Sequence, residues 1–153
     1  MGSYFFDTSA LVKRYRPEEG TAVIDRLFAE DGASPVISRL GIVETISALA
    51  LKVRTGELEL ADYAMARKKF LGDIANRTVT VVRLLVAHFR NAEGLVNRHG
   101  PSRRLRTLDA LQLSIAVDLN QQKRIGTFVC ADGTLCEIAS LEGLVTLNPL
   151  ATV

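Results

Sequence analysis

Four acidic residues stand out because each lies where an isolated carboxylate is unexpected. Asp7 directly follows the aromatic run Tyr-Phe-Phe, and Asp132 directly follows an apolar run that ends at Ala131. Glu44 and Asp109 each lie within an apolar stretch that has helical spacing. A carboxylate in apolar surroundings is costly unless it is paired, hydrogen-bonded or bound to a metal. These four positions are therefore candidates for one functional site.

Two of the acids follow predicted strands, at the place where α/β proteins bind ligands. Residues 4–6 are aromatic without polar alternation, which predicts a strand buried on both faces of a parallel sheet. Asp7 then falls at the carboxyl end of this strand, outside which open α/β sheets bind their ligands. Asp132 stands in the same relation to the run 127–131. Because Asp132 precedes Gly133, turn formation is the alternative explanation for this acid.

The other two acids lie on inward-facing stripes of predicted helices. Glu44 shares its stripe with Leu51, and Asp109 shares its stripe with Gln112. Each acid also has an ordinary alternative role. Glu44 can extend to solvent from the edge of its stripe, and Asp109 can stabilise the helix dipole just after an N-cap at Thr107.

The chemistry of such a site follows from its oxygen ligands. If Asp7, Glu44, Asp109 and Asp132 converge, their repulsion raises their pKa values and destabilises the fold, and a divalent cation removes that cost. An all-oxygen ligand set favours Mg²⁺ or Mn²⁺ over Zn²⁺. Mg²⁺ keeps several waters and binds phosphate oxygens, so the expected substrate is a phosphate ester. The expected reaction is metal-assisted hydrolysis.

Alternating strand and helix patterns predict the scaffold that positions these acids. The chain has 153 residues, of which 48% are hydrophobic and 24% charged, and it suits one globular domain over 1–153. The alternation indicates a three-layer α/β/α fold around a parallel sheet. The predicted strands are 4–6, 35–38, 78–82, 126–131 and 144–147, and the predicted helices are 8–15, 18–30, 40–54, 60–75, 84–97, 107–122 and 134–140.

Composition narrows the class of protein further. The formal net charge of +2 means that any nucleic-acid-binding surface must be local. Cys130 and Cys136 lack a paired-spacing framework, which predicts reduced thiols in a cytosolic protein. No window approaches transmembrane length, so we expect a soluble, cytoplasmic protein without membrane contact. His88 and His99, the latter in a predicted loop, have no second histidine at ligand spacing, which favours surface or packing roles.

Local basic residues are candidate contacts for a phosphate backbone. Lys13 and Arg14 follow the Asp7 turn, and Arg104 and Arg106 precede the helix of Asp109. Solvated surface charge is the alternative for each of them. The helical pair 40–75 is either a packed hairpin or an arm that contacts RNA or a partner. Its basic residues are Lys52, Arg54, Arg67, Lys68 and Lys69.

With these residues in view, the sequence resembles the PIN-domain ribonucleases, in particular the VapC toxins of toxin–antitoxin pairs. The resemblance implies a Rossmann-like PIN fold with a parallel sheet of about five strands. It also implies that Asp7, Glu44, Asp109 and Asp132 form an acidic site for Mg²⁺ or Mn²⁺. The likeness rests on four blocks that match in order and spacing: residues 5–13, 43–44, 105–113 and 131–135.

The resemblance implies cleavage of single-stranded or looped RNA that leaves a 5′-phosphate and a 3′-hydroxyl. It further implies a homodimer and a small VapB-like antitoxin that covers the groove, often with an Arg near the acids. Family members often carry Thr or Ser where this chain has Cys130, whose thiol is a weaker hydrogen-bond partner. Ser9 is then the expected supporting hydroxyl, whereas Thr8 is expected to cap the following helix. The alternatives are a PIN nuclease of RNA processing or decay, and a non-catalytic protein-binding module.

Overall fold

Strands and helices alternate along the computed structural model, which describes residues 2–151. The strands are β1 (Ser3–Phe6), β2 (Ser34–Ser38), β3 (Thr80–Val82), β4 (Thr127–Val129) and β5 (Thr146–Leu147). The helices are α1 (Thr8–Tyr15), α2 (Thr21–Ala29), α3 (Arg39–Arg54), α4 (Leu60–Ala75), α5 (Val86–His99), α6 (Thr107–Gln121) and α7 (Gly133–Leu141). Every predicted strand and helix is present, with small differences at the ends. The predicted domain limits, 1 and 153, lie outside the described residues, so the single domain stays a prediction.

One parallel sheet joins the five strands in the order β3-β2-β1-β4-β5. β1 is central, because Phe5 pairs in register with Val36 of β2 on one side and with Phe128 of β4 on the other. Crossover helices cover both faces of such a sheet, which explains why β1 lacks polar alternation. The predicted three-layer α/β/α fold with about five parallel strands is confirmed.

The two faces of the sheet bury separate apolar clusters. Phe5 lies in one cluster with Phe128 and Leu113, which the helices α5, α6 and α7 complete. Phe6 lies in the other with Leu49 and Phe70, where α1 to α4 pack. Successive side chains of a strand point to opposite faces, so two adjacent phenylalanines anchor both layers. Packing on both faces of the sheet therefore fixes the positions at which β1 and β4 end.

The helical pair 40–75 packs on the sheet instead of extending as an arm. Leu49 of α3 and Phe70 of α4 are both fully buried in the Phe6 cluster. Of the two alternatives, the packed hairpin is therefore the one observed. Within residues 2–151, no helix is both long and apolar enough to cross a membrane.

Candidate active site

Asp7 lies at the junction of β1 and α1, where only 3% of the residue is exposed. It is the N-cap of α1, and its Oδ2 accepts hydrogen bonds from the Ser9 backbone N–H at 3.0 Å and the Ser9 hydroxyl at 2.6 Å. Burial raises the pKa of Asp7, the hydrogen bonds from Ser9 oppose that rise, and the charge of Asp132 adds to it. The chain thus fixes the orientation of this carboxylate while leaving its charge poorly solvated.

Ser9 connects the ends of the two central strands. Its hydroxyl oxygen accepts a hydrogen bond from the Ala131 N–H at 3.0 Å, in addition to donating to Asp7. The thiol of Cys130 lies 3.8 Å from the Ser9 hydroxyl and 3.3 Å from the backbone nitrogen of Asp132. Cys130 therefore lies between Ser9 and the Asp132 backbone, where its thiol is a weaker hydrogen-bond partner than a hydroxyl.

Thr8 does not cap the helix that follows it, so that prediction is wrong. Asp7 occupies the N-cap position of α1. The Thr8 hydroxyl oxygen is buried and has no hydrogen-bond partner within residues 2–151. Asp7 is the residue that leaves β1 with extended backbone angles and has a side-chain acceptor two residues before an N–H, which is what an N-cap requires.

Asp132 combines a structural role with a position among the acids. Its Oδ1 accepts a hydrogen bond from the Leu135 N–H at 3.1 Å, which makes it the N-cap of α7. The local role of Asp132 is therefore helix capping and not the turn considered as its alternative, because Gly133 is already the first residue of α7. The same carboxylate lies close enough to Asp7 and Asp109 for its charge to add to the burial that raises their pKa values.

Glu44 accepts a hydrogen bond from a buried side-chain amide, that of Gln112, for which the sequence predicted no functional role. The Gln112 Nε2 group donates a hydrogen bond to Glu44 Oε1 at 2.9 Å, and the Ser38 hydroxyl donates to Gln112 Oε1 at 2.6 Å. Burial raises the pKa of Glu44, the hydrogen bond from Gln112 opposes the rise, and the charges of Asp7 and Asp109 add to it. The available signal was the position of Gln112 one turn after Asp109 on an apolar helix.

Asp109 lies in the first turn of α6, where the helix dipole favours an acid. The helix begins at Thr107 with Arg106 as its N-cap, so the predicted cap at Thr107 is wrong by one residue. Burial raises the pKa of Asp109 to about 6, and the charges of Asp7 and Asp132 contribute. The charges of Arg106 and Arg104 act against that rise.

The four acids come from four different elements and influence one another. In addition to burial, the charge of Asp7 raises the pKa values of Glu44 and Asp109, and Asp132 acts on both Asp7 and Asp109. Such mutual repulsion is relieved by protonation or by a cation. The structure therefore brings the four predicted acids together at the edge where β1 and β4 end.

The donor chemistry of this cluster fits a hydrated hard cation. Within residues 2–151, no group of three or more His, Cys, Asp or Glu residues is arranged to hold a metal ion as it stands. The charge of Asp132 nevertheless adds to the burial that raises the pKa values of Asp7 and Asp109. Mg²⁺ keeps several of its waters and uses only one or two protein carboxylates directly, so it does not need a closed cage. A set of donors made only of carboxylate oxygens suits Mg²⁺ or Mn²⁺ better than Zn²⁺.

Two of the predicted RNA contacts lie beside the acids. Arg104 and Arg106 are exposed, and both are near enough to Asp109 for their charges to oppose the burial that raises its pKa. A phosphate approaching the acidic cluster would meet these two guanidinium groups at its rim. They are the cations of the predicted set that the geometry leaves accessible.

The other two predicted RNA contacts are engaged within the fold. Lys13 is 7% exposed, and its Nζ lies 3.1 Å from Glu18 Oε1. The Nε atom of Arg14 lies 3.0 Å from Asp73 Oδ2, an ion pair that ties α1 to α4. Both side chains are thus ion-paired within the fold, and their contact with RNA stays a prediction.

Both histidines are buried and paired with carboxylates outside the acidic cluster. His88 Nε2 lies 2.9 Å from Asp118 Oδ2, and His99 Nε2 lies 2.6 Å from Glu142 Oε1. A packing role therefore describes both residues. The predicted loop position of His99 is wrong, because it is the last residue of α5.

In the absence of metal, we expect stability to fall as the pH rises from about 5 to just above 6. The pKa of Asp109 is raised from 3.8 to about 6, so up to about pH 6 the folded chain retains a proton that the unfolded chain has released. Lowering the pH therefore favours the folded state, and the raised pKa values of Asp7 and Glu44 act in the same direction.

Melting temperatures measured in EDTA across this range test the prediction, and Asp109→Asn should flatten the dependence. An unchanged profile in that variant would assign the effect elsewhere. Carboxyls with lowered pKa values lose their stabilising effect only below this range: Glu18, Asp118 and Glu142.

The protein is thus a five-stranded parallel α/β/α domain, and it carries a cluster of carboxylates where the strands β1 and β4 end. This chain belongs to the PIN-domain family, whose model, described as "PIN domain", matches residues 4–139. The predicted family is confirmed. No match was found among curated proteins.

Solved structures of toxin–antitoxin proteins are similar to this chain along nearly their whole length. VapC20 from Mycobacterium tuberculosis, described as a sarcin–ricin loop cleaving toxin, is 20% identical with a TM-score of 0.66, covering 95% of this chain and 99% of its own. VapBC2 from Rickettsia felis, bound to a DNA fragment from its promoter, is 13% identical with a TM-score of 0.64, covering 95% and 98%. A toxin–antitoxin complex from Klebsiella pneumoniae is 12% identical with a TM-score of 0.59, covering 95% and 97%. Likeness at these identities establishes a shared fold.

Proposed function

We propose that this protein is a VapC-like toxin, a Mg²⁺- or Mn²⁺-dependent endoribonuclease that hydrolyses phosphodiester bonds. The observation that carries the proposal is the convergence of four carboxylates from four elements at the ligand-binding edge of a PIN domain. Burial and the charges of neighbouring carboxylates raise the pKa values of Asp7, Glu44 and Asp109, and a divalent cation would neutralise this negative charge. Structural roles alone do not require four acids to converge there.

In this proposal Asp7, Asp109 and Asp132 hold the ion, directly or through its bound waters, and Glu44 completes the site or orients the attacking water. When bound, the ion makes a coordinated water more acidic and neutralises charge on the phosphate. Ser9 keeps the Asp7 carboxylate in a fixed orientation and ties it to the end of β4. The residues of the chain therefore supply a rigid, negatively charged site for the ion. The proposed reaction needs no catalytic histidine.

RNA is the proposed substrate, and an antitoxin is the proposed partner. The RNA assignment is supported by the description of VapC20 as a sarcin–ricin loop cleaving toxin. The VapBC2 and Klebsiella assemblies support a small VapB-like antitoxin. The homodimer implied by the family resemblance is retained as part of the proposal.

Incubation of the purified protein with total RNA, in Mg²⁺ and in EDTA, tests the proposed activity. We expect discrete cuts in Mg²⁺ that leave 5′-phosphate ends and disappear in EDTA. Mass spectrometry of the preparation must first exclude a retained antitoxin peptide. Intact RNA after incubation with antitoxin-free protein in Mg²⁺ or Mn²⁺ would contradict the proposal.

Removing the cations at the rim should weaken RNA binding in a salt-dependent manner. Each phosphate contact to a single strand contributes about 0.7 to the slope of log affinity against log salt. Arg104→Ala and Arg106→Ala should each lower that slope by about this amount. Filter binding from low to physiological salt measures it, and Arg26→Ala, an exposed cation on α2, is the matched control. Equal slopes in all three variants would show that neither Arg104 nor Arg106 contacts the RNA backbone.

A further inference from the structure

A hydrogen-bond chain runs from the start of α3 through α6, where Ser38 and Gln112 are fully buried, and ends on the half-buried Glu44. Ser38 is the N-cap of α3, where its hydroxyl oxygen accepts the Gly41 N–H at 3.0 Å. The hydroxyl proton of Ser38 then donates to Gln112 Oε1 at 2.6 Å, and Gln112 Nε2 donates to Glu44 Oε1 at 2.9 Å. Each group is a donor to the next, so the chain has one direction.

That direction fixes how the Gln112 amide is oriented. Its carbonyl oxygen faces Ser38, because the Ser38 oxygen already accepts one backbone N–H and the hydroxyl proton is left to donate. The amide N–H₂ group must therefore face Glu44. An amide turned the other way would set its oxygen against a carboxylate and leave the Ser38 proton against an N–H₂ group.

Burial of the Gln112 side-chain amide costs the folded protein free energy. Gln112 is 0% exposed, and the residues around it on α6 from Ala110 to Ala116 are almost all buried. An amide in such surroundings costs free energy unless its donors and acceptor are satisfied, and an apolar residue would fill the space without that demand. Both of its partners lie on the β2–α3 segment, and one of them is a member of the acidic cluster.

We propose that Gln112 is a positioning residue of the hydrolytic site, which fixes the orientation of the Glu44 carboxylate through Oε1 and is itself oriented by Ser38. This inference rests on the proposed function. Partners that orient ligating or water-positioning carboxylates typically account for about a tenfold to hundredfold change in metal affinity or activity. Gln112 acts only through Glu44, which makes the inference separable from a general effect on packing.

A double-mutant cycle between Gln112 and Glu44 tests the inference. Gln112→Met, which preserves length and removes the hydrogen bonds, should lower kcat for RNA cleavage about tenfold to a hundredfold with little change in KM. In a Glu44→Ala background the same substitution should have no further effect. Single-turnover cleavage with excess protein measures the residual rates of both backgrounds.

Equal rate losses in the two backgrounds would overturn the inference, because they would reflect packing alone. A wild-type rate for Gln112→Met would also overturn it. If Gln112→Met does not fold, Ser38→Ala replaces it, since loss of the Ser38 hydroxyl frees the amide to rotate. Ser38→Ala should give a smaller loss that also vanishes in the Glu44→Ala background.

A second readout separates this inference from the proposed function. The rise in melting temperature caused by a fixed concentration of Mn²⁺ should be smaller in Gln112→Met than in the wild type, and the two should be equal once Glu44 is Ala. Mn²⁺ stabilisation that depends on Gln112 in a protein that leaves RNA intact would contradict only the nuclease. Cleavage and Mn²⁺ stabilisation that are both indifferent to Gln112 would contradict only its positioning role.

Discussion

Asp7→Asn should slow RNA cleavage about a thousandfold and at the same time make the metal-free protein more stable. Loss of an ion that contributes several kcal/mol of charge stabilisation predicts a rate reduction of about a thousandfold. Asn serves as an N-cap about as well as Asp, so the start of α1 should be preserved. Burial and the nearby charge of Asp132 both raise the pKa of Asp7, so its negative charge is unfavourable in the folded protein. The substitution removes that charge. The gain in stability and the loss of activity therefore have one cause.

Single-turnover cleavage in Mg²⁺ and thermal unfolding in EDTA measure the two effects on the same preparation. For a domain of this size, each kcal/mol shifts the melting temperature by about 2–4 °C. Asp31→Asn, a substitution of an exposed acid in the turn after α2, is the matched control and should change neither quantity. Cleavage by Asp7→Asn at the wild-type rate would show that the site is misassigned. A loss of stability would show that Asp7 serves mainly the fold.

Most of the fold and all four acids could be predicted because their signals are local. The unalternated aromatics of β1 record burial on both faces of a parallel sheet, and the acid that follows them marks the end of the strand. Asp132 repeats that pattern after β4. Glu44 and Asp109 stand out because their neighbours along each helix are apolar. Each of these observations needs only a short window of sequence.

The partners of the site residues could not be predicted, because they are distant in the chain. Gln112 contacts Ser38 and Glu44 across 74 and 68 residues. No periodicity within α6 could identify either partner, and an amide on an apolar stripe has many ordinary explanations. A link of this length becomes visible only when β2 and α6 are packed together.

The internal partner of Arg14 could not be predicted for the same reason. Arg14 is adjacent in sequence to a predicted site turn, which favoured a role in substrate binding. Its partner Asp73 is 59 residues away, on α4. An arginine that links two helices and an arginine that can bind a phosphate look the same in an amino-acid sequence. Only burial and ion pairing in the folded chain distinguish Arg14 from Arg104.

Mg²⁺ should raise the melting temperature of the wild-type protein in proportion to the logarithm of its concentration. A ligand at one hundred times its Kd that binds only the folded state adds about 2.7 kcal/mol of stability. At about 2–4 °C for each kcal/mol, the expected rise is about 5–11 °C. Matched Na⁺ controls for ionic strength, and Asp109→Asn should reduce the rise because a carboxylate of the cluster is lost.

The dependence of this rise on pH distinguishes a specific site from weak surface binding. The pKa of Asp109 is about 6 without metal, so below that pH the ion must displace a proton before it can bind. The rise in melting temperature should therefore be larger at pH 7.5 than at pH 5. Without metal, the same carboxyls favour the opposite order of stability. Mg²⁺ should thus weaken or reverse the pH dependence seen in EDTA. If it leaves the melting temperature unchanged at both pH values, the acids hold no ion, and a binding module becomes the better explanation of the groove.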